Sequence, residues 1–168
     1  MKVSEWMTAS AVACSKGDSQ ERAAQIMWEH DCGSVPVVGE GGRVEGVITD
    51  RDIAMSAYTR GQGLGAAPVE SAMSCYVCVC GPDDGIDEAL ESMANHQLHR
   101  LPVVDSERHL VGILSLADVV QGLLHEDRRG EWAERVLEVL GEVTRPRVVR
   151  AGDRPETPAP RRMVEVVA

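Results

Sequence analysis

Two short stretches carry residue types suited to a charged, hydroxyl-rich ligand. The first is Gly46-Val47-Ile48-Thr49-Asp50-Arg51-Asp52, and its counterpart is Gly112-Ile113-Leu114-Ser115-Leu116-Ala117-Asp118. In each, an apolar run ends at a hydroxyl, and a carboxylate follows three positions on. That spacing puts Thr49 and Ser115 at the N-cap of a helix, with Asp52 and Asp118 at its third residue. Two uses of the geometry stay open. One is structural: a capping box that satisfies orphan amides and complements the helix dipole. The other is ligand chemistry. A helix N-terminus offers amides and positive potential to a phosphate, and a first-turn carboxylate can accept two hydrogen bonds from a ribose diol. The uses are compatible, because capping fixes the side chains that a nucleotide would then meet.

The elements that must hold these mouths recur as well. Shifted by 66 positions, the sequence matches itself without a gap. Val3, Met7, Cys14, Asp18, Ala23, Met27, His30, Pro36-Val37-Val38, Gly46 and Asp52 fall on Val69, Met73, Cys80, Asp84, Ala89, Met93, His96, Pro102-Val103-Val104, Gly112 and Asp118. This is a tandem duplication. Each copy reads β-α-β-β-α. Ala11–Cys14 and Cys75–Cys80 are the opening strands. Asp18, with Glu21 three positions on, caps a helix that ends near a left-handed Gly33; Asp84 to Asp87 starts its counterpart, which runs to about His96. Val35–Val38 with Val44–Ile48, and Leu101–Val104 with Leu110–Leu114, form hairpins. Pro36, without an amide hydrogen, belongs near a strand start or a sheet edge.

The organisation expected is therefore α/β (α+β), two tandem repeats related by a pseudo-two-fold. Residues 1–59 and 69–126 are the repeats, 60–68 the linker, 127–144 an accessory helix packed on the body or on a second subunit, and 145–168 a disordered basic tail.

Composition narrows the function. Hydrophobic content of 43% and charged content of 26% suit a globular chain. A net charge of −10 argues against nucleic acid or anionic membrane as partner. No apolar run approaches a membrane span, and the five Cys residues follow no disulfide spacing, so a reducing cytoplasm is expected. Cys75-x-x-Cys78-x-Cys80 suits a four-thiolate zinc site poorly, since strand geometry sends Cys75 to the opposite face; buried apolar cysteines fit better. His30 and His96, at equivalent helix ends, fit dipole-favoured C-terminal positions. No nucleophile elbow, Walker-type loop or zinc-paired histidines occur, which argues against an enzyme.

Val35-Pro36-Val37-Val38 with Gly46–Asp52, and Leu101-Pro102-Val103-Val104 with Gly112–Asp118, together with Met7 and Met73, make the chain resemble a CBS-domain pair (a Bateman module). It is most similar to the stand-alone bacterial type. The resemblance implies a regulatory module that binds adenosine nucleotides (AMP, ADP or ATP) in clefts between the repeats, needs no cofactor, and associates as a homodimer. It implies Thr49, Asp52, Ser115 and Asp118 as ribose and phosphate ligands. Arg51 is the candidate cation in the first copy, a solvated first-turn residue being the other reading; in the second the candidates are His99 and Arg100, whose first-copy equivalents are Gly33 and Ser34. The apolar adenine slot falls on Ala11, Val12, Val35 and Pro36, and on Val77, Cys78, Leu101 and Pro102. A ligand-free scaffold that acts as an assembly protein is the alternative, and no downstream partner is indicated.

Overall fold

The structure is a computed structural model that describes residues 1–124 and 129–146. Its elements are β1 (Thr8–Ala9), β2 (Cys14–Ser15), α1 (Gln20–Glu29), β3 (Ser34–Val38), β4 (Val44–Thr49), α2 (Asp50–Arg60), α3 (Ile86–His96), β5 (Arg100–Val104), β6 (Leu110–Ser115), α4 (Leu116–Leu124) and α5 (Arg129–Val143). Two compact units emerge, and neither follows the repeat boundaries. One is Val12–Val77; the other joins Met1–Ala11 to the described residues from Cys78 onward.

In the Val12–Val77 unit the sheet order is β2-β3-β4, with β2 parallel and β4 antiparallel to β3. On the free edge of β4, Val47 exchanges both backbone hydrogen bonds with Ser74, at 3.0 and 2.8 Å. Pro36 sits mid-strand in the central β3, not at an edge or a strand start, opposite Val47. Because Val47 spends its amide and carbonyl on Ser74, the Pro36–Val47 pair is a non-hydrogen-bonded one, and the missing amide costs no ladder bond. Ala23, Ile26 and Met27 recur at helical spacing along α1 and bury against Val35, Val37, Ile48, Ile53, Val69 and Met73. Burying each of these Val, Ile and Met side chains contributes roughly 1.5–3 kcal/mol, and Ala23 less.

The other unit has the same frame, with sheet order β1-β6-β5. Cys80 bridges Val103 in parallel, as Cys14 does Val37. Ile86, Ala89, Leu90 and Met93 form the buried stripe of α3. The accessory helix α5 belongs to this body: Val136, Val139 and Val143 join the same core as Leu90, Met93, Val119 and Leu123.

The leading segments cross over. The leading segment of the first copy, from Val3, ends beside β6 of the second, pairing Thr8 with Ile113 and Ala9 with Gly112. The equivalent segment of the second copy, Val69–Ser74, completes the first copy's sheet and core. Gly46 and Gly112 permit this approach. A Cβ at Gly46 would lie 2.9 Å from Ser74 O and 3.0 Å from Met73 Sδ. At Gly112 it would lie 2.9 Å from Thr8 O and 2.8 Å from Met7 Sδ.

Several local expectations are corrected. Ser19, not Asp18, caps α1, its hydroxyl accepting from the Arg22 amide; Asp18 instead accepts from the Ser15 amide at 2.7 Å. Asp84 likewise accepts from Gly81, and Gly85 is the N-cap of α3. Gly33 is not the left-handed residue. Asp31 is (φ 48°), and Cys32 N donates to Met27 O in a Schellman closure; Gln97 (φ 52°) and Leu98 repeat this in the second copy. Of Ala11–Cys14 only Cys14 lies in a strand, and Cys75–Cys80 contributes only the bridge at Cys80, because the chain there is changing sheets. Only Cys14 and Cys80 are buried; Cys75 is exposed. Of the tail at 145–168, all but Arg145 and Pro146 lies outside the described residues.

Candidate functional site

Each mouth is built where a hairpin's second strand turns directly into a helix. In the Val12–Val77 unit, Thr49 ends β4 and caps α2. Its hydroxyl donates to Asp52 Oδ2 at 2.7 Å and accepts from the Asp52 amide at 3.1 Å, while the Thr49 amide donates to the same Oδ2 at 3.1 Å. In the second unit, Ser115 repeats these bonds with Asp118 at 2.6, 3.1 and 2.8 Å. Both capping boxes are therefore closed. Strand register then places Ser34 opposite Thr49, and Arg100 opposite Ser115. The Gly33 and His99 carbonyls accept from the first helical amides, Asp50 at 3.1 Å and Leu116 at 3.0 Å.

The mouths differ in what remains open. At the first, the Arg51 amide donates to Asp50 Oδ1 at 2.6 Å, so all three leading amides are engaged. Asp52 Oδ1, however, takes no hydrogen bond among the described residues, and the exposed Arg51 guanidinium has no ion-pair partner there. At the second, the Ala117 amide meets no acceptor among the described residues, but Asp118 Oδ1 accepts a long 3.4 Å bond from the Thr8 hydroxyl. The first mouth thus offers a free carboxylate oxygen and the unpaired guanidinium of the preceding residue; the second offers a free amide, with Arg100 opposite Ser115 in the strand register.

The flanking residues divide by strand alternation. Val35 and Leu101 point into their own cores, at 1% and 0% exposure, so only their backbone can face a ligand. Pro36 and Pro102 lie on the opposite sheet face, which they share with Ser34 and Arg100. Val77 is buried and Cys78 half-buried, whereas Val12 is exposed at 40%. Ala11 and Val12 fall in different compact units, as do Val77 and Cys78. His99 is exposed just ahead of β5. Sequence reasoning overlooked Thr8 at the Asp118 mouth, although its pairing with Ser74 across the duplication marked a repeated hydroxyl. Burial pushes the Cys14 thiol up to about 11 and Cys80 to about 12, and raises Cys78. Among the described residues no three His, Cys, Asp or Glu side chains cluster to hold a metal ion, and no helix is long and apolar enough to cross a membrane.

A family model described as CBS domain matches the chain twice, over residues 3–57 and 69–125. The chain belongs to the CBS-domain family. Its two matches are the two copies found by internal comparison, and the fold is that of a CBS pair. The CBS domain-containing protein YhcV of Bacillus subtilis (strain 168) is 35% identical over 128 residues, which cover 76% of this chain and 89% of that protein. Hypoxic Response Protein I, solved with two coordinated zinc ions, is 30% identical with a TM-score of 0.66, covering 72% of this chain and 98% of its own. The CBS pair of MJ0100, solved with 5-methylthioadenosine and S-adenosyl-L-methionine, is 26% identical with a TM-score of 0.65, covering 72% and 94%.

Proposed function

We propose that this CBS pair is a regulatory module that binds an adenosine nucleotide at its two Thr/Ser-x-x-Asp mouths. The observation that carries the reading is the repeated cap. In both copies one carboxylate oxygen is fixed by the hydroxyl and the strand's last amide; the other is open to a ribose diol at Asp52, and at Asp118 a ribose hydroxyl would compete with the long Thr8 bond. The adenosyl ligands of the MJ0100 pair support the ligand class. Arg51 at the first mouth, and Arg100 with the Ala117 amide at the second, then serve the phosphates of AMP, ADP or ATP. Regulation follows if the ligand prefers one arrangement of the protein, since binding shifts an equilibrium only by its differential affinity. No catalytic step is assigned, and a homodimer is the expected assembly, to be read by sedimentation.

A second reading, a scaffold with an empty cleft, is favoured at the first mouth by its three engaged amides, which leave a phosphate to Arg51 alone. Calorimetry and thermal shift against AMP, ADP, ATP and S-adenosylmethionine separate the readings. Ligand should raise the wild-type melting temperature by mass action. Asp52→Ala and Asp118→Ala should each weaken binding at their own mouth by about 10- to 100-fold, the equivalent of losing charge-assisted hydrogen bonds worth roughly 1.5–3 kcal/mol. No response from nucleotide-free wild type at millimolar ligand leaves the scaffold reading standing.

A further inference from the structure

The two mouths share one cap but differ at the residue after it. There the duplication sets Asp50 against Leu116. Leu116 turns inward and is buried in the core of its unit. Asp50 is exposed, and its Oδ1 accepts from the next amide, that of Arg51, at 2.6 Å. The corresponding amide of the second mouth, Ala117, meets no acceptor among the described residues. A helix N-terminal amide is a group suited to an anion. In the first copy a carboxylate of the chain already holds it; in the second it is open.

Charge runs the same way. The turn of the first mouth carries Asp50 and Asp52 against Arg51, and Asp31 shares a groove lining with Asp50. A phosphate there has Arg51 alone to meet it. The second mouth carries Asp118 against Arg100, and the counterpart of Asp31 is the uncharged Gln97. Arg100 is half-buried, stands opposite Ser115 in the strand register and forms no ion pair among the described residues. Its counterpart opposite Thr49 is Ser34. The sugar side is reversed. Asp52 Oδ1 takes no hydrogen bond among the described residues, whereas Asp118 Oδ1 already accepts from Thr8 at 3.4 Å.

We propose that the two mouths divide adenosine ligands by phosphate content. The Ser115/Asp118 mouth takes 5′-phosphorylated adenosine, held by Arg100 and the Ala117 amide. The Thr49/Asp52 mouth takes the phosphate-free adenosyl group, and Asp50 is the residue that turns phosphate away. An anion aimed at the Arg51 amide must displace the Asp50 carboxylate and rest in a turn that also carries Asp52, and like charges at that range repel. The division rests on the nucleotide reading above and adds to it which mouth takes which ligand. A chain so built responds to the ratio of two ligand forms and not to the level of one.

Calorimetry on full-length chains, with adenosine and AMP as probes near neutral pH, tests this. Asp52→Ala reads mainly the second mouth and Asp118→Ala the first. AMP should bind Asp52→Ala at least about tenfold tighter than adenosine does, the worth of a charge-assisted hydrogen bond, and added salt should shrink that margin. To Asp118→Ala, AMP should bind no tighter than adenosine. Adding Asp50→Leu, which installs the second copy's residue and leaves the Thr49/Asp52 cap intact, should raise the AMP affinity of Asp118→Ala about tenfold with adenosine unchanged. Asp50→Asn keeps an acceptor without the charge and should give a smaller gain. Arg100→Ser should erase the AMP margin of Asp52→Ala. If a cap variant fails to melt cooperatively, Asp50→Leu and Arg100→Ser in the wild-type chain give the same answer, as one AMP site strengthened and one weakened. An equal AMP margin at both mouths, or an Asp50→Leu chain with unchanged AMP affinity, overturns the division while adenosine binding preserves the nucleotide reading. If neither probe binds any chain at millimolar concentration, that reading fails and the division falls with it.

Discussion

At the scale of single residues, the mouths are held by bonds of ordinary strength, which sets what substitution can do. Removing the Thr49 hydroxyl strips the Asp52 amide of its acceptor and Asp52 Oδ2 of its shortest donor. Thr49→Ala should cost about 1 kcal/mol of stability in urea unfolding even without ligand; no loss would mean the cap is idle. The thiols titrate out of the way. Cys14 and Cys80 are lifted from 9.0 to about 11 and about 12, chiefly by burial. Their protonated form is thus favoured in the folded state, so their contribution to stability is full below pH 9 and lost as pH rises through 9 toward 12. A melting temperature that falls over that window, with Cys75 alkylated at pH 8 well before Cys14 or Cys80, is expected. Reversed reactivity would refute the burial assignment. Much at this scale was legible in the sequence, Thr49 with Asp52 above all. The helix caps were not. Asp18 and Ser19 are both good N-caps and adjacent, and the choice fell to Ser19 because Asp18 is held by the Ser15 amide. Gly33 lost the left-handed position to Asp31 because the chain must already be straight at Gly33 to enter β3.

At the scale of elements, hairpins and helices followed from periodicity, and the structure keeps them within a residue or two. The opening strands did not follow, since short apolar runs such as Ala11–Cys14 and Cys75–Cys80 fit a strand or an extended connector equally. The leading segments, missed as strands, are what the two glycines exist for. A methyl at Gly46 or Gly112 would collide with a neighbouring backbone carbonyl at 2.9 Å as well as with a methionine sulfur. The sulfur can swing aside, but the carbonyl belongs to the pairing itself. Gly46→Ala and Gly112→Ala should each destabilise by about 1–3 kcal/mol through overpacking. Hydrogen exchange should speed at Ser74 and Val47 in the first variant and at Ser10 and Ile113 in the second. A neutral Gly112→Ala would mean that β1 does not press on β6 as closely as the geometry states.

At the scale of the whole molecule, the duplication was legible but its wiring was not. A repeat read from sequence is the same pattern whether each leading segment pairs with its own hairpin or with the other copy's, because sliding the chain by 66 residues maps both arrangements onto themselves. The choice is made in three dimensions. Thr8 and Ala9 lie beside Ile113 and Gly112, and Ser74 lies beside Val47. The two compact units therefore divide at Ala11/Val12 in the first copy and at Val77/Cys78 in the second. Two fragments of equal length decide whether this wiring carries stability. Residues 12–77 retain Val69 and Met73 in the core with Ile26, Val35 and Ile48, and Ser74 on the edge of β4. Residues 1–66 lack all three of these contributors and carry β1 without its partner strand β6. A chain of this size is marginal, so the loss of two buried apolar side chains, worth roughly 1.5–3 kcal/mol each, should decide whether it folds. Residues 12–77 should resist proteolysis markedly longer and melt cooperatively, and residues 1–66 should not. Equal digestion rates would mean that the exchanged segments only decorate cores already complete within each repeat.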